Sequence, residues 1–355
     1  MNSILAVAAG FLLLAIGGEM LVRGSVQAAK KLGVSELLIG LTLVGFATSM
    51  PEMVTSVQAS MDGSPGIAIG NFVGSNISNI LLILGLAAVI FPIKVDSKCL
   101  ERDGYFVVAT AVAFAATSLL LPYDRLLGLG FVATLMVYIA YAIHHEMRGV
   151  WRGHTSAYEK SEAYKRLREK PPADASAPTA DEAIPPAASA IWPAVGLYAA
   201  LAIAGLLIVT LGARLMVVGA SGLARASGIP EEIIGLTIVA IGTSLPEFVT
   251  SLVAALRGFP AVALGNIMGS NIYNTLGIGG LTALIAPTTI PPQIVFYDNL
   301  VMVAASLAFI LFATVDLRIR RWEGLALVFA YIAYLISLFP VSHHAWAIEA
   351  IMGAS

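Results

Sequence analysis

The chain has 355 residues, 58% of them hydrophobic and 12% charged, with a net charge of −2 and one cysteine, Cys99. Soluble domains carry about 25% charged residues, so composition excludes a water-soluble globule and indicates an integral membrane protein. The near-neutral charge gives no support for a nucleic-acid partner, and a single cysteine excludes an internal disulfide or a thiolate metal cluster.

Apolar runs long enough to cross a bilayer, about 20 residues each, recur along the whole length. In chain order they predict ten membrane spans near 3–22, 37–60, 66–91, 104–122, 126–145, 193–213, 232–256, 261–285, 296–315 and 324–340. The first has no basic residue before it and no small-residue cleavage site with polar sequence after it, so it reads as a span rather than a cleaved signal. Between the fifth and sixth spans lies 147–191, a charged stretch, "RGVWRGHTSAYEKSEAYKRLREK", followed by the Pro/Ala-rich "PPADASAPTADEAIPPAASA". We read it as a partly disordered tether between membrane halves 1–146 and 192–355. At about 45 residues it is too short for a β-sandwich sensor, which needs about 100.

Basic residues predict the orientation. With the N-terminus outside, the inner loops hold Arg23, Lys30, Lys31, Lys94, Lys98, Arg102, Arg257, Arg318, Arg320 and Arg321, plus seven residues of the tether. The outer side holds only Arg125, Arg214 and Arg225. Seventeen against three places 147–191 in the cytoplasm and both termini outside, in a multi-pass cell-membrane protein.

Shifting the sequence by 195 aligns Glu36–Gly85 with Glu231–Gly280 at 27 identities in 50 positions, without a gap. A repeat can define a whole architecture, so it is read before any single motif. The copies begin at the second and seventh spans, five crossings apart, and therefore enter the membrane from opposite sides. Loop charge agrees: "MDGSPG" lacks Lys and Arg, while "LRGFP" carries Arg257. Asp103 and Asp298 open the fourth and ninth spans at the same offset. The expected fold is thus an all-α membrane protein of two inverted five-helix repeats, with its binding site at the repeat interface.

The strongest matches are "VGFATSMPEMVTS" and "VAIGTSLPEFVTS". Pro51 and Pro246 remove amide donors and free the carbonyls of Ala47 and Gly242, disturbing the turns around Gly45 and Ala240. Such carbonyls are costly in hydrocarbon unless they line a cavity or meet a ligand. A repaired kink is the plain reading of one such proline; two, each between Thr-Ser and Glu, favour a site. Thr48, Ser49 and Glu52 share a helical face, as do Thr243, Ser244 and Glu247. A glutamate at mid-span is expensive and marks function.

A second pair, "GNFVGSNISN" and "GNIMGSNIYN", places Asn71, Ser75 and Asn79, and again Asn266, Ser270 and Asn274, on one stripe. Its G-x-x-x-G pairs admit a close neighbouring helix. Asn71 and Asn266 read equally well as helix–helix glue, whereas Ser75, Asn79, Ser270 and Asn274 are assigned to the site. All these groups are hard oxygens and no His or Cys joins them, which suits calcium or sodium better than zinc or copper.

At these four strings the chain closely resembles the sodium/calcium exchangers of the calcium/cation antiporter superfamily, whose two alpha-repeat signatures they match. The resemblance covers all ten predicted spans. It implies a five-plus-five inverted fold and sodium-driven calcium exchange by alternating access, with calcium and sodium as substrates and no cofactor, catalysis or obligate protein partner. It further implies that Glu52 and Glu247 are shared central ligands and that Thr48 and Thr243 contribute to calcium and sodium. Ser49, Ser75, Asn79, Ser244, Ser270 and the carbonyls of Gly45 and Ala240 would complete the cluster. Two departures stand out: Asn274 occupies a position where part of the family has Asp, and the large calcium-sensing loop of animal exchangers is missing.

The nearest rival is a proton/calcium exchanger using the same glutamates, although the "TSMPE" and "TSLPE" strings supply the neutral oxygens that sodium needs. A membrane metalloprotease would need a His-Glu-x-x-His pair, and an aspartyl protease paired mid-membrane aspartates; the sequence has neither. A passive channel also uses oxygen rings; countertransport separates it. With Asn79 and Asn274 neutral, two fixed charges face the cargo, and calcium with potassium would place three positive charges against two in a poorly hydrated cavity. Exchange is therefore expected to continue when choline replaces potassium on both sides of a vesicle at fixed membrane potential; collapse of calcium uptake would refute this charge count.

Overall fold

The computed structural model describes residues 3–95, 97, 100–151, 188–227 and 240–352. Most of the tether (152–187), Cys99 and the first part of the seventh predicted span (232–239) lie outside the described residues.

The described chain is almost wholly helical. Helix α1 (Ser3–Leu32) leads into α2 (Glu36–Thr48), which bends by 40° at Ser49 into α3 (Met50–Met61). Then come α4 (Pro65–Ile90), α5 (Leu100–Leu120) and α6 (Arg125–Trp151). The second half runs through α7 (Ala188–Ala226), the short α8 (Ala240–Thr243), α9 (Leu245–Leu256), α10 (260–285), α11 (Ile294–Asp316) and α12 (Arg321–Met352). Two-residue strands β1 (Ile93–Lys94) and β2 (Arg318–Ile319) pair antiparallel.

Among the described residues seven helices are long and apolar enough to span a membrane, or eight if the bent α2–α3 pair is one span. The shortfall from ten has a physical origin. Helix α10 has the length, but Asn266, Asn271, Asn274 and its glycines make it more polar than an ordinary span, and α9 continues a span whose start is not described.

Local geometry repeats at the 195-residue offset. Pro65 and Pro260 open α4 and α10, where a missing N–H costs nothing. Gly63 and Gly258 end the preceding turns at φ +77 and +78, a left-handed conformation that glycine adopts without strain. The π-helical segments Asn79–Leu84 and Leu100–Gly104 have counterparts at Tyr273–Ile278 and Ile294–Asp298. The β1–β2 pairing on one side is answered by a bridge between Tyr123 and Thr288 on the other. There the buried Tyr123 hydroxyl donates to the Gly279 carbonyl at 2.5 Å, and burial pushes its phenol up, keeping it a donor.

Long-range packing runs between repeats as much as within them. In hydrocarbon, helices gain little from excluding lipid, so close approach through small residues drives association. Gly10, Gly17 and Gly24 of α1 face α7, and their counterparts Gly205, Gly212 and Gly219 face α1. A Cβ at Gly10 would fall 2.7 Å from Gly212 O, and one at Gly17 would fall 2.8 Å from Gly205 O. Gly85 meets Gly324 on α12, and Gly280 meets Gly128 on α6. The largest core cluster fills the centre around α4 and α10, where Phe72 stands edge-on to Phe114 at 5.1 Å.

The seam makes a testable contrast. A methyl at Gly205 would meet the Leu21 backbone and lie 2.8 Å from Gly17 O, so only separation of α1 and α7 relieves it, whereas Gly130 has open space. Gly205→Ala is expected to destabilise by about 1–3 kcal/mol, lowering the melting temperature in detergent by several degrees. Gly130→Ala should melt like the parent; equal melting of both variants would contradict the seam.

Candidate cation-binding site

The glutamates lie where the broken helices cross. Ser49, the hinge between α2 and α3, leaves the helical region with ψ near 2°, and Ser244 does the same between α8 and α9 at ψ 4°. Pro51 and Pro246 sit in the first turns of α3 and α9, so the chain bends just before each proline. Glu52 and Glu247 follow in those same first turns, and each is only 1% exposed.

The repeats then exchange hydrogen bonds. Ser244 Oγ donates to Glu52 Oε1 at 3.2 Å, and Ser49 Oγ donates to Glu247 Oε1 at 3.1 Å. Each carboxylate is thus held by the hinge serine of the opposite repeat, and the two bonds are copies at the 195-residue offset. Ser75 Oγ lies 3.4 Å from Ser244 Oγ and joins the Glu52 side. On the Glu247 side, Thr48 Oγ1 donates to Asn266 Oδ1 at 3.0 Å, and Ser270 Oγ reaches Gly45 O at 3.4 Å. Asn79 and Asn274 are each 1% exposed, and Thr243 is half-buried at the end of α8. Ala240 opens α8.

The Gly45 carbonyl, in the turn that Pro51 disturbs, is hydrogen-bonded. It accepts the Ser49 N–H at 3.2 Å and hydroxyls of Thr48 and Ser270 at 3.4 Å, because Ser49 keeps a helical backbone bond across the hinge. The carbonyl deprived of its i+4 donor by Pro51 is that of Ala47.

Asn71 and Asn266 act as braces. Asn71 Nδ2 donates to Glu52 O at 3.3 Å and Ser56 Oγ at 2.9 Å. Asn266 Nδ2 makes the matching bonds to Glu247 O at 3.3 Å and Ser251 Oγ at 2.9 Å. These bonds tie α4 to α3 and α10 to α9 at the glutamate itself. Ser56 and Ser251 were not assigned to the site from sequence; their place four residues after each glutamate was the available signal. Another unassigned link crosses the repeats, Asn76 Nδ2 to Thr275 Oγ1 at 2.7 Å.

The donor set fits a hard cation as cargo. Glu52 Oε2, Glu247 Oε2 and both amide atoms of Asn79 and Asn274 are buried without a hydrogen-bond partner. Buried polar atoms are otherwise almost always paired, and these orphans stand at positions 195 residues apart in the two repeats. No group of three or more His, Cys, Asp or Glu side chains comes together among the described residues. The cluster therefore consists of two carboxylates amid neutral oxygens, which suits calcium and sodium rather than zinc.

A polytopic helical membrane protein with polar groups gathered where two repeats meet has the architecture of a secondary transporter. The family model described as sodium/calcium exchanger protein matches twice, at residues 2–144 and 197–339, and both ends of the second match lie 195 residues beyond the first. The chain belongs to the sodium/calcium exchanger family. It is 36% identical to sodium/calcium exchanger MaX1 of Methanosarcina acetivorans over 339 residues, covering 94% of this chain and 97% of that protein. It is 32% identical to the inner membrane protein YrbG of Escherichia coli, covering 94% and 95% of the two chains. The fold matches the solved sodium-calcium exchanger NCX_Mj with a TM-score of 0.76 and 31% identity, covering 95% of this chain and 98% of that one.

The braces differ in surroundings: Asn266 is fully buried and also accepts from Thr48, whereas Asn71 is half-buried. Losing a buried hydrogen-bonded group leaves partners unsatisfied at about 1–3 kcal/mol. Asn266→Ala is therefore expected to lower the melting temperature more than Asn71→Ala. The reverse order would show that the Glu247 brace carries no extra load.

Proposed function

We propose that the chain exchanges calcium for sodium across the cell membrane by alternating access, with the sodium gradient driving calcium out of the cell. The observation that carries this reading is the pair of buried carboxylates, Glu52 and Glu247, each held by the hinge serine of the opposite repeat. Two negative charges balance one divalent cation, and dehydrating calcium calls for six to eight oxygens.

In this reading Glu52 and Glu247 are the central shared ligands. Asn79 and Asn274 present their Oδ1 atoms, Thr48 and Thr243 serve calcium and sodium, and Ser49, Ser75, Ser244 and Ser270 line the sodium positions with the carbonyls of Gly45 and Ala240. Sodium ions occupy separate hydroxyl and carbonyl positions and share the carboxylates, so filling the cluster with sodium or with calcium is mutually exclusive. The hinges supply the movable part: rotation at Ser49 or Ser244 carries a glutamate with its helix and opens one side of the cluster. Family membership and the similarity to MaX1 and NCX_Mj support sodium as the coupling ion. The bias of basic residues supports a cytoplasmic 147–191 loop and outside termini, and similarity to an inner membrane protein supports the cell membrane. On this reading the chain comprises membrane halves 1–146 and 192–355 joined by that loop.

The test is calcium-45 uptake into proteoliposomes loaded with sodium, at equal pH on both sides. Uptake is expected to follow the sodium gradient and to disappear when that gradient is collapsed. Uptake driven instead by an imposed pH gradient would assign proton coupling. Glu52→Gln and Glu247→Gln are each expected to reduce exchange to background while the protein still elutes as a folded monodisperse species. Near-normal exchange in either variant would sink the carboxylate assignment.

A further inference from the structure

The repeats are copies in sequence but not in packing. Helix α1 lies against α9: a Cβ at Gly18 would fall 2.9 Å from Val249 Cγ1, and Arg257, just beyond α9, makes an ion pair with Glu19 at 2.7 Å. The 195-residue offset maps this junction onto α7 and α3, pairing Ala213 with Val54 and Arg214 with Asp62. That second junction is open. A cavity of about 660 Å³ separates the helices, lined by Val54 and Pro51 on one wall and by Ala213, Arg214 and Val217 on the other. Among the described residues Arg214 makes no ion pair, and the Asp62 side chain accepts from Gln58 Nε2 alone, at 2.9 Å.

The charges at the two junctions are reversed yet complementary. On one side the helix carries Glu19 and the turn Arg257; on the other the helix carries Arg214 and the turn Asp62. The turns match in backbone: Asp62 and Arg257 are C-caps at φ −78 and −84, each followed by a positive-φ glycine. Two independent sign changes that preserve opposite charge at both ends point to a role for the pairing at each.

We infer that Glu19–Arg257 and Arg214–Asp62 are alternative latches, the first closing α1 on α9 as in this structure and the second closing α7 on α3 in the opposite state. When α7 moves onto α3, the cavity closes, Ala213 meets Val54 as Gly18 now meets Val249, and Arg214 reaches Asp62. The Glu19 latch opens in the same transition. Glu19 also pairs with Arg23 along α1, so that carboxylate keeps a cationic partner when Arg257 leaves. Among the described residues Arg214 has no such partner, which gives the second latch a larger change on closing. The inference rests on the exchange reading only in requiring that the two junctions close in turn.

Disulfide trapping tests the latches without any transport measurement, so its failure is separable from failure of the exchange reading. Val54→Cys and Ala213→Cys are combined with Cys99→Ser and a protease site in the 147–191 loop, in nanodiscs under mild oxidation. After cleavage, the two halves stay together on a non-reducing gel only if positions 54 and 213 have met. Adding Arg214→Glu is expected to slow cross-linking by about two- to five-fold, the population shift an exposed ion pair supplies. Adding Glu19→Arg is expected to speed it by a similar factor, because the competing latch is lost. Arg214→Glu together with Asp62→Arg should restore the parent rate, which a misfolded variant would not do. Absence of a cross-link in every background, equal rates in all, or failure of the double reversal to restore would each overturn the inference.

Discussion

The cost of holding two carboxylates in a low-dielectric interior governs this molecule. A charged group there is tolerated only if it faces partners or a cavity, never lipid. Here Glu52 and Glu247 each take a hydroxyl from the other repeat, through Ser244 and Ser49. Neither glutamate can be settled by its own half of the chain. The folded state therefore requires both repeats, and the same requirement places the charges together where a cation can balance them.

Everything around the cluster serves that placement. The prolines end the helical ladder just before each glutamate, and the hinge serines absorb the bend. Asn71 and Asn266 clamp the glutamate backbones to α4 and α10, so the carboxylates move with their helices. Farther out, glycines at seven-residue intervals let α1 and α7 pack backbone to backbone. That seam joins helices which otherwise gain little from each other in lipid. The π segments beginning beside Asn79 and Asn274 add irregular backbone within the protein interior, where it is tolerated.

Duplication creates symmetry, but function needs it broken. Two equal halves in identical surroundings would expose the cluster to both sides or to neither. The structure resolves this by packing α1 against α9 while a cavity parts α7 from α3. Small sequence differences at equivalent positions, Gly18 against Ala213 and Glu19 against Arg214, lie at that asymmetry. In the inferred latch mechanism, the two states are two packings of one motif.

Much of this was legible in the sequence because the bilayer punishes polar residues so heavily. Glutamates, prolines and asparagines inside apolar runs stand out, and a gapless 50-position match at an offset of 195 residues, with five predicted crossings between the copies, leads to the expectation of inversion by counting alone. The helical membrane fold and the expectation that the two motif pairs meet followed from those features, and the family from the resemblance of the four motif strings. Tertiary structure decided the rest, since it depends on which atoms meet across the repeats. That Ser49 serves Glu247 rather than Glu52, that Asn266 braces a backbone carbonyl, and that the Gly45 carbonyl is already engaged are not periodic properties of any one helix. The glycine seam of α1 and α7 was likewise hidden, because glycine is common in membrane helices and only a facing backbone gives its spacing meaning.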